Sequence, residues 1–146
     1  MKISVWAPQD EFQNPRNSAY LFAKRYFLEL EMLGMFTLQT LQAGILLCLY
    51  EIGHGLYPSA YLTVGTCARY GIGLGLDKEA LLPFRSPNIW LEAEEKKRTW
   101  WAILILDRFV TLGYATRSLA TQDPQSSDLL PVDDELWEQG VCNLDF

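Results

Sequence analysis

The 146 residues are 49% apolar and 13% aromatic, material enough for a packed core and unlike a disordered chain. A formal charge of −6 argues against a nucleic-acid surface, because phosphate binding needs clustered Lys and Arg. The three cysteines, Cys48, Cys67 and Cys142, are odd in number and widely spaced, which speaks against a disulfide framework and fits a reducing compartment.

Residues 1–14 have no sustained apolar run of the kind a secretory signal needs, and they read as a leader or a truncated linker. Asn14-Pro15 suits a helix start, since proline is tolerated where its missing N–H has no partner. The predicted helix continues to about Leu33, with Tyr20, Ala23, Phe27 and Leu30 at helical spacing, and Gly34 breaks it. No charge occurs from Met35 to Tyr50. The charge-free run extends back to Met32 and so approaches the ~20 residues of a membrane span, but Thr37, Gln39, Thr40 and Gln42 make a buried helix the better reading, with the glutamines facing polar partners or a cavity.

Gly53, Gly55 and Pro58 mark a turn into a third helix, whose Gly65 and Ala68 are small enough to admit a neighbouring helix. The glycines at 71, 73 and 75 end it. A short helix after Asp77 is expected to stop before Pro83, and residues 84–88 read as a loop. Residues 94–112 then form the central helix. Glu92 and Lys96, and Glu94 and Arg98, stand four apart with acid before base, as on a solvated face. From Thr99 to Leu106 no side chain is charged, so the helix is expected to be buried on most of its circumference.

Asp107 and Arg108 have no opposite charge three or four residues away, so their partners are expected outside this helix; Arg69 is the candidate partner of Asp107. A loop of about twenty residues follows, longer than compact domains usually tolerate without a role. Asp133 or Asp134 is positioned to cap a last short helix that includes Leu136 and Trp137. The expected fold is therefore all-α, about five helices around a Trp-Trp helix with a long loop after it.

Catalytic chemistry finds little support. His54 is the only histidine, and Glu51-Ile-Gly-His54 supplies a single Glu-x-x-His pair, where a di-iron bundle needs two. Gly71-Ile-Gly-Leu-Gly75 follows a helix rather than a strand, unlike a dinucleotide fingerprint. Lys96-Lys97-Arg98 reads as part of a solvated face rather than a nuclear-import signal. The acids and apolar residues of 133–138 read as a packed cap rather than an activation segment. No catalytic, cofactor-binding or metal-ligating residue is assigned. The alternative is a small helical ligand carrier or enzyme with a pocket between helices lined by Trp100, Trp101, Gln39 and Gln42.

One pattern is specific in its order and spacing: Lys97-Arg98, Trp100-Trp101, an apolar run, Asp107-Arg108, Arg117 in the following loop, and Leu130-Pro131. It resembles the central regulatory region of fungal zinc-cluster transcription factors, the fungal-specific transcription factor domain. Residues 60–76, ending in Leu74-Gly75-Leu76, resemble the helix that precedes the Trp-Trp helix in that family. One departure is that Ala115-Thr116-Arg117-Ser118 stands where the family commonly has Gly-Arg-Pro. The resemblance makes residues 15–146 a partial regulatory domain, a fragment or a truncated form, in which Arg69, Arg98, Trp100, Trp101, Asp107, Arg108, Arg117 and Pro131 are the motif residues with structural roles. It implies transcription regulation in the nucleus through protein partners, an intact regulator or a second copy, and a small-molecule effector, with no enzyme activity, membrane contact or direct DNA contact. Zinc is expected only in an N-terminal six-cysteine cluster, which this sequence lacks.

Overall fold

A computed structural model describes residues 14–79, 90–112, 114 and 116–139. Within these the chain forms six helices: α1 (Ser18–Met32), α2 (Leu38–Gly53), α3 (Tyr57–Gly73), α4 (Leu76–Glu79), α5 (Trp90–Thr111) and α6 (Asp134–Gln139). No strand occurs among the described residues, and the all-α expectation is met. The loop expected at residues 84–88 and Cys142 lie outside them.

Local chemistry sets the helix ends. α1 starts later than Asn14-Pro15 suggested, because the Asn17 side chain caps it, accepting from the Tyr20 amide at 2.9 Å. Thr37 caps α2 in the same way through the Thr40 amide at 3.1 Å. Pro58 sits in the first turn of α3, where a missing donor costs nothing. Gly34 and Gly55, with φ of 68° and 70°, end α1 and α2 in the left-handed region that side chains disfavour. Asp133 caps α6, its carboxylate accepting from the Glu135 amide at 3.1 Å.

α3 is the centre, packed between α2 and α5, with α1 leaning on α2 and α4 on α5. The core joins Leu41 and Cys48 of α2, Val64 and Cys67 of α3, Leu76 of α4, and Trp100, Ile103 and Val110 of α5. Of the two small residues expected to admit a neighbouring helix, Ala68 is wholly buried in the core, but Gly65 is not a point of close approach. A Cβ on Gly65 would meet nothing nearer than the Arg69 guanidinium at 3.6 Å. One on Gly44 would stand 2.7 Å from Cys67 Sγ and 2.8 Å from Phe27, and one on Gly71 would stand 2.9 Å from the Trp100 ring.

Of two expectations about burial, one is met and one is overturned. The uncharged stretch of α5 is covered on most sides: Thr99, Trp100, Ile103, Leu104 and Leu106 are buried, Trp101 and Ala102 are half-buried, and Ile105 is 64% exposed. The supposed solvated face, however, holds Glu94 and Lys97, which are 0% and 3% exposed. The reason is the segment after α5, which folds back along this helix and covers its charged first half. No described helix is long and apolar enough to cross a membrane.

Candidate functional site

Leu112, Tyr114 and residues 116–133 form a strap along α5, held at intervals by side chains of that helix. At the C-terminal end, Asp107 Oδ2 accepts from the Ala120 amide at 2.9 Å, the Thr121 amide at 2.9 Å and the Thr121 hydroxyl at 2.8 Å. Arg108 donates to the Thr121 hydroxyl, to the Gln122 carbonyl at 2.7 Å and to Asp123 at 2.9 Å. Arg117 returns the other way, donating to the Val110 carbonyl at 2.8 Å while its guanidinium lies 3.7 Å from the centre of the Tyr114 ring and 5.1 Å from that of Tyr61. Tyr61 in turn donates to the Ser118 carbonyl at 3.1 Å.

Further along, Trp101 Nε1 donates to the Leu129 carbonyl at 3.0 Å. The wholly buried Glu94 accepts from the Val132 amide at 2.7 Å, with Lys97 at 3.3 Å and Arg98 at 3.5 Å around it. Those two cations and one amide compensate a carboxylate that is otherwise costly to bury. Arg98 also donates to the Val132 carbonyl and to Asp134, both at 2.7 Å, and lies 4.9 Å from the Trp137 ring centre. Pro131 sits half-buried between the Trp101 and Glu94 attachments, whereas the neighbouring Leu130 is 68% exposed.

The motif residues thus converge on one task, with two exceptions. Trp100 faces inward, its ring against Gly71 in the core. Arg69 is elsewhere, exposed on α3 and donating to its own helix at the Gly65 carbonyl, 3.3 Å away. The proposed Arg69 partner for Asp107 is therefore wrong. Backbone amides of the strap and the Thr121 hydroxyl hold its Oδ2 instead, and periodicity within helices carries no sign of them. Glu94 is a strap-holding residue of α5 that the sequence hid, since its spacing to Arg98 looked like an ordinary surface pair.

A second buried charge lies under α1. Glu51, 0% exposed, accepts from the Tyr20 hydroxyl at 2.8 Å, Lys24 at 2.8 Å and the Thr63 hydroxyl at 2.6 Å, tying α1, α2 and α3 together. Burial, then the neighbouring Glu51, pushes the Tyr20 hydroxyl up to about 12. His54 is not paired with Glu51. It stacks on Tyr50 and makes a 2.9 Å hydrogen bond to the Tyr50 carbonyl at the end of α2. No group of three metal-ligating side chains occurs among the described residues. Cys48 and Cys67 suit zinc poorly, because burial pushes both thiols up to about 12, away from the thiolate that zinc binds.

Among the described residues, Trp100, Trp101, Gln39 and Gln42 do not line one pocket. Gln39 is exposed, and Gln42 donates to Glu95 at 2.9 Å, joining α2 to α5. The outer side of α1 and α2 instead forms an apolar groove of about 550 Å³ whose lining includes Phe22, Tyr26, Leu30, Leu46 and Tyr50. Phe22 and Leu46 are 73% and 66% exposed there.

The arrangement matches known proteins. The chain is 43% identical over 89 residues to Transcription factor BOA15 of Botryotinia fuckeliana, covering 60% of this chain and 50% of that protein. It is 32% identical over 127 residues to the pigment biosynthesis transcriptional activator pigB of Monascus ruber, covering 77% of this chain and 23% of that one. Over 51 residues it is 47% identical to the arabinolytic transcriptional activator araR of Emericella nidulans, covering 34% of this chain and 6% of that protein. The chain therefore spans half or less of the length of these relatives. No solved structure matches it. The profile of the fungal specific transcription factor domain matches residues 5–143, so the chain belongs to that family of transcriptional regulators.

Proposed function

We propose that this chain is part of the regulatory region of a fungal zinc-cluster transcription factor, working in the nucleus through contacts with the rest of such a protein or with a partner. It neither touches DNA nor catalyses a reaction; zinc and DNA recognition belong to a cysteine cluster outside it. The observation that carries this reading is the open apolar face of α1 and α2, with Phe22 and Leu46 largely exposed, in a chain that spans half or less of its relatives. A face of that kind is expected to be covered by protein. A small-molecule effector acts on such a region by favouring one packing over another.

The test is to fuse the chain to a heterologous DNA-binding module in fungal cells and measure reporter transcription. The fusion is expected to change output relative to the module alone, and the Phe22→Asp, Leu46→Asp double variant to abolish the change. Identical output from module, fusion and variant would overturn the reading.

A further inference from the structure

A second cavity, of about 460 Å³, lies where the end of α1 and the following loop meet α3, lined by Glu31, Phe36, Thr66, Arg69, Tyr70 and Gly73. Its chemistry differs from that of the apolar groove. Phe36 and Tyr70 form an aromatic wall, ring centres 4.4 Å apart. The Tyr70 side chain is 5% exposed, and its hydroxyl has no hydrogen-bond partner among the described residues. A buried hydroxyl left in that state costs free energy, which a bound hydrogen-bonding group would relieve. Glu31, on α1, is near enough to help burial push the Tyr70 hydroxyl upward. Arg69, on α3, spends one donor on the Gly65 carbonyl at 3.3 Å. Neither Glu31 nor Arg69 is ion-paired among the described residues, with each other or with anything else. An uncommitted cation and an uncommitted anion therefore face one cavity from two helices, beside an aromatic wall and an orphaned hydroxyl.

The geometry points to a binding site for a small zwitterion with an apolar or aromatic body, the chemistry of a free α-amino acid with a large side chain. Arg69 takes the carboxylate as a forked donor. Glu31 takes the ammonium group. Phe36 and Tyr70 receive the apolar body, and the Tyr70 and Thr66 hydroxyls supply hydrogen bonds. A ligand held in this way joins α1 to α3 and so strengthens one packing of the helices. This deepens the effector reading above and rests on it only for its regulatory meaning.

The test is calorimetric titration of the chain with three probes of one shape: L-phenylalanine, 3-phenylpropanoate, which lacks the ammonium, and phenethylamine, which lacks the carboxylate. Phenylalanine is expected to bind ~10-fold or more tightly than either analogue. Arg69→Gln should lower phenylalanine affinity to that of phenethylamine and leave phenethylamine unchanged; Glu31→Gln should lower it to that of 3-phenylpropanoate. Tyr70→Phe should weaken phenylalanine binding while raising the unliganded Tm, because it removes the orphaned hydroxyl. Equal binding of the three probes, no heat from phenylalanine at millimolar concentration, or unchanged phenylalanine affinity in Arg69→Gln overturns the site. Binding with no effect of phenylalanine on the reporter described above would sink the regulatory role and leave the site standing.

Discussion

Replacing Asp107 by alanine removes the acceptor of three hydrogen bonds at once, two of them from strap amides. Hydrogen bonds to a charged group contribute about 1.5–3 kcal/mol each. Their sum overstates the loss, because alanine also relieves the burial of a carboxylate that is 0% exposed and whose Oδ1 has no partner among the described residues. Water entering at the loosened strap recovers part of the rest. A net cost of about 3 kcal/mol follows, a large share of the ~5–15 kcal/mol that holds a domain together. Asp107→Asn keeps an oxygen where Oδ2 stood, so its cost should be about 1–2 kcal/mol, the loss of charge assistance and of a partner for the new NH₂ group. Urea denaturation gives both values, and hydrogen exchange gives their location. The Ala120 and Thr121 amides should be protected in the native chain and exchange rapidly in the alanine variant. An alanine variant within about 0.5 kcal/mol of wild type, with those amides still protected, would refute the account of how the strap is held.

Three other outcomes are expected. Gly44→Ala should destabilise by about 1–3 kcal/mol despite its better helix propensity, since its Cβ meets Cys67 and Phe27 below 3 Å; Gly65→Ala, whose Cβ would make only an ordinary contact with the Arg69 guanidinium at 3.6 Å, should stabilise by up to about 1 kcal/mol. Thermal melts of the two would separate packing from propensity. Lys24→Met leaves Glu51 buried without its cation and should cost about 3 kcal/mol, most of it recovered in the Lys24→Met, Glu51→Leu double variant; a double variant no more stable than the single would contradict this. Stability should also fall in alkali. The Cys48 and Cys67 thiols are raised to about 12 in the fold, so they keep their protons there while the unfolded chain loses them from its ordinary thiol range upward. The stabilisation is thus whole below about pH 8.5 and is lost as pH rises towards 12, by about 1.4 kcal/mol per pH unit per thiol. Denaturation across that window should show a shallower slope in the Cys48→Ala, Cys67→Ala variant.

The helices were readable because their signals are local. Asn17, Thr37, Gly34 and Gly55 each set an end through their own side chain or backbone, and a Trp-Trp run in a long helix announces a core. The strap's existence was legible as a long polar loop after α5, but its path was not. Glu94 and Lys97 have the spacing of a solvated face, and only a covering segment some forty positions later in the chain makes them interior. Asp107 misled in the opposite direction. A lone buried acid suggested a remote cation, Arg69, whereas backbone amides hold its Oδ2, and any residue type except proline supplies those. Gly44 and Gly65 look alike in sequence, and what stands opposite each is a property of the assembled bundle.

The strap has a consequence for how such a region diversifies. Its attachments are made largely through its own main chain: the carbonyls of Gln122, Leu129 and Val132, and the amides of Ala120, Thr121 and Val132. The instructions for its route are written in another element, in Glu94, Arg98, Trp101, Asp107 and Arg108 of α5. Most strap side chains are thereby released from structural duty. A new recognition surface can be composed on this segment by changing residues that steer nothing, while the helix beneath goes on tracing the same course.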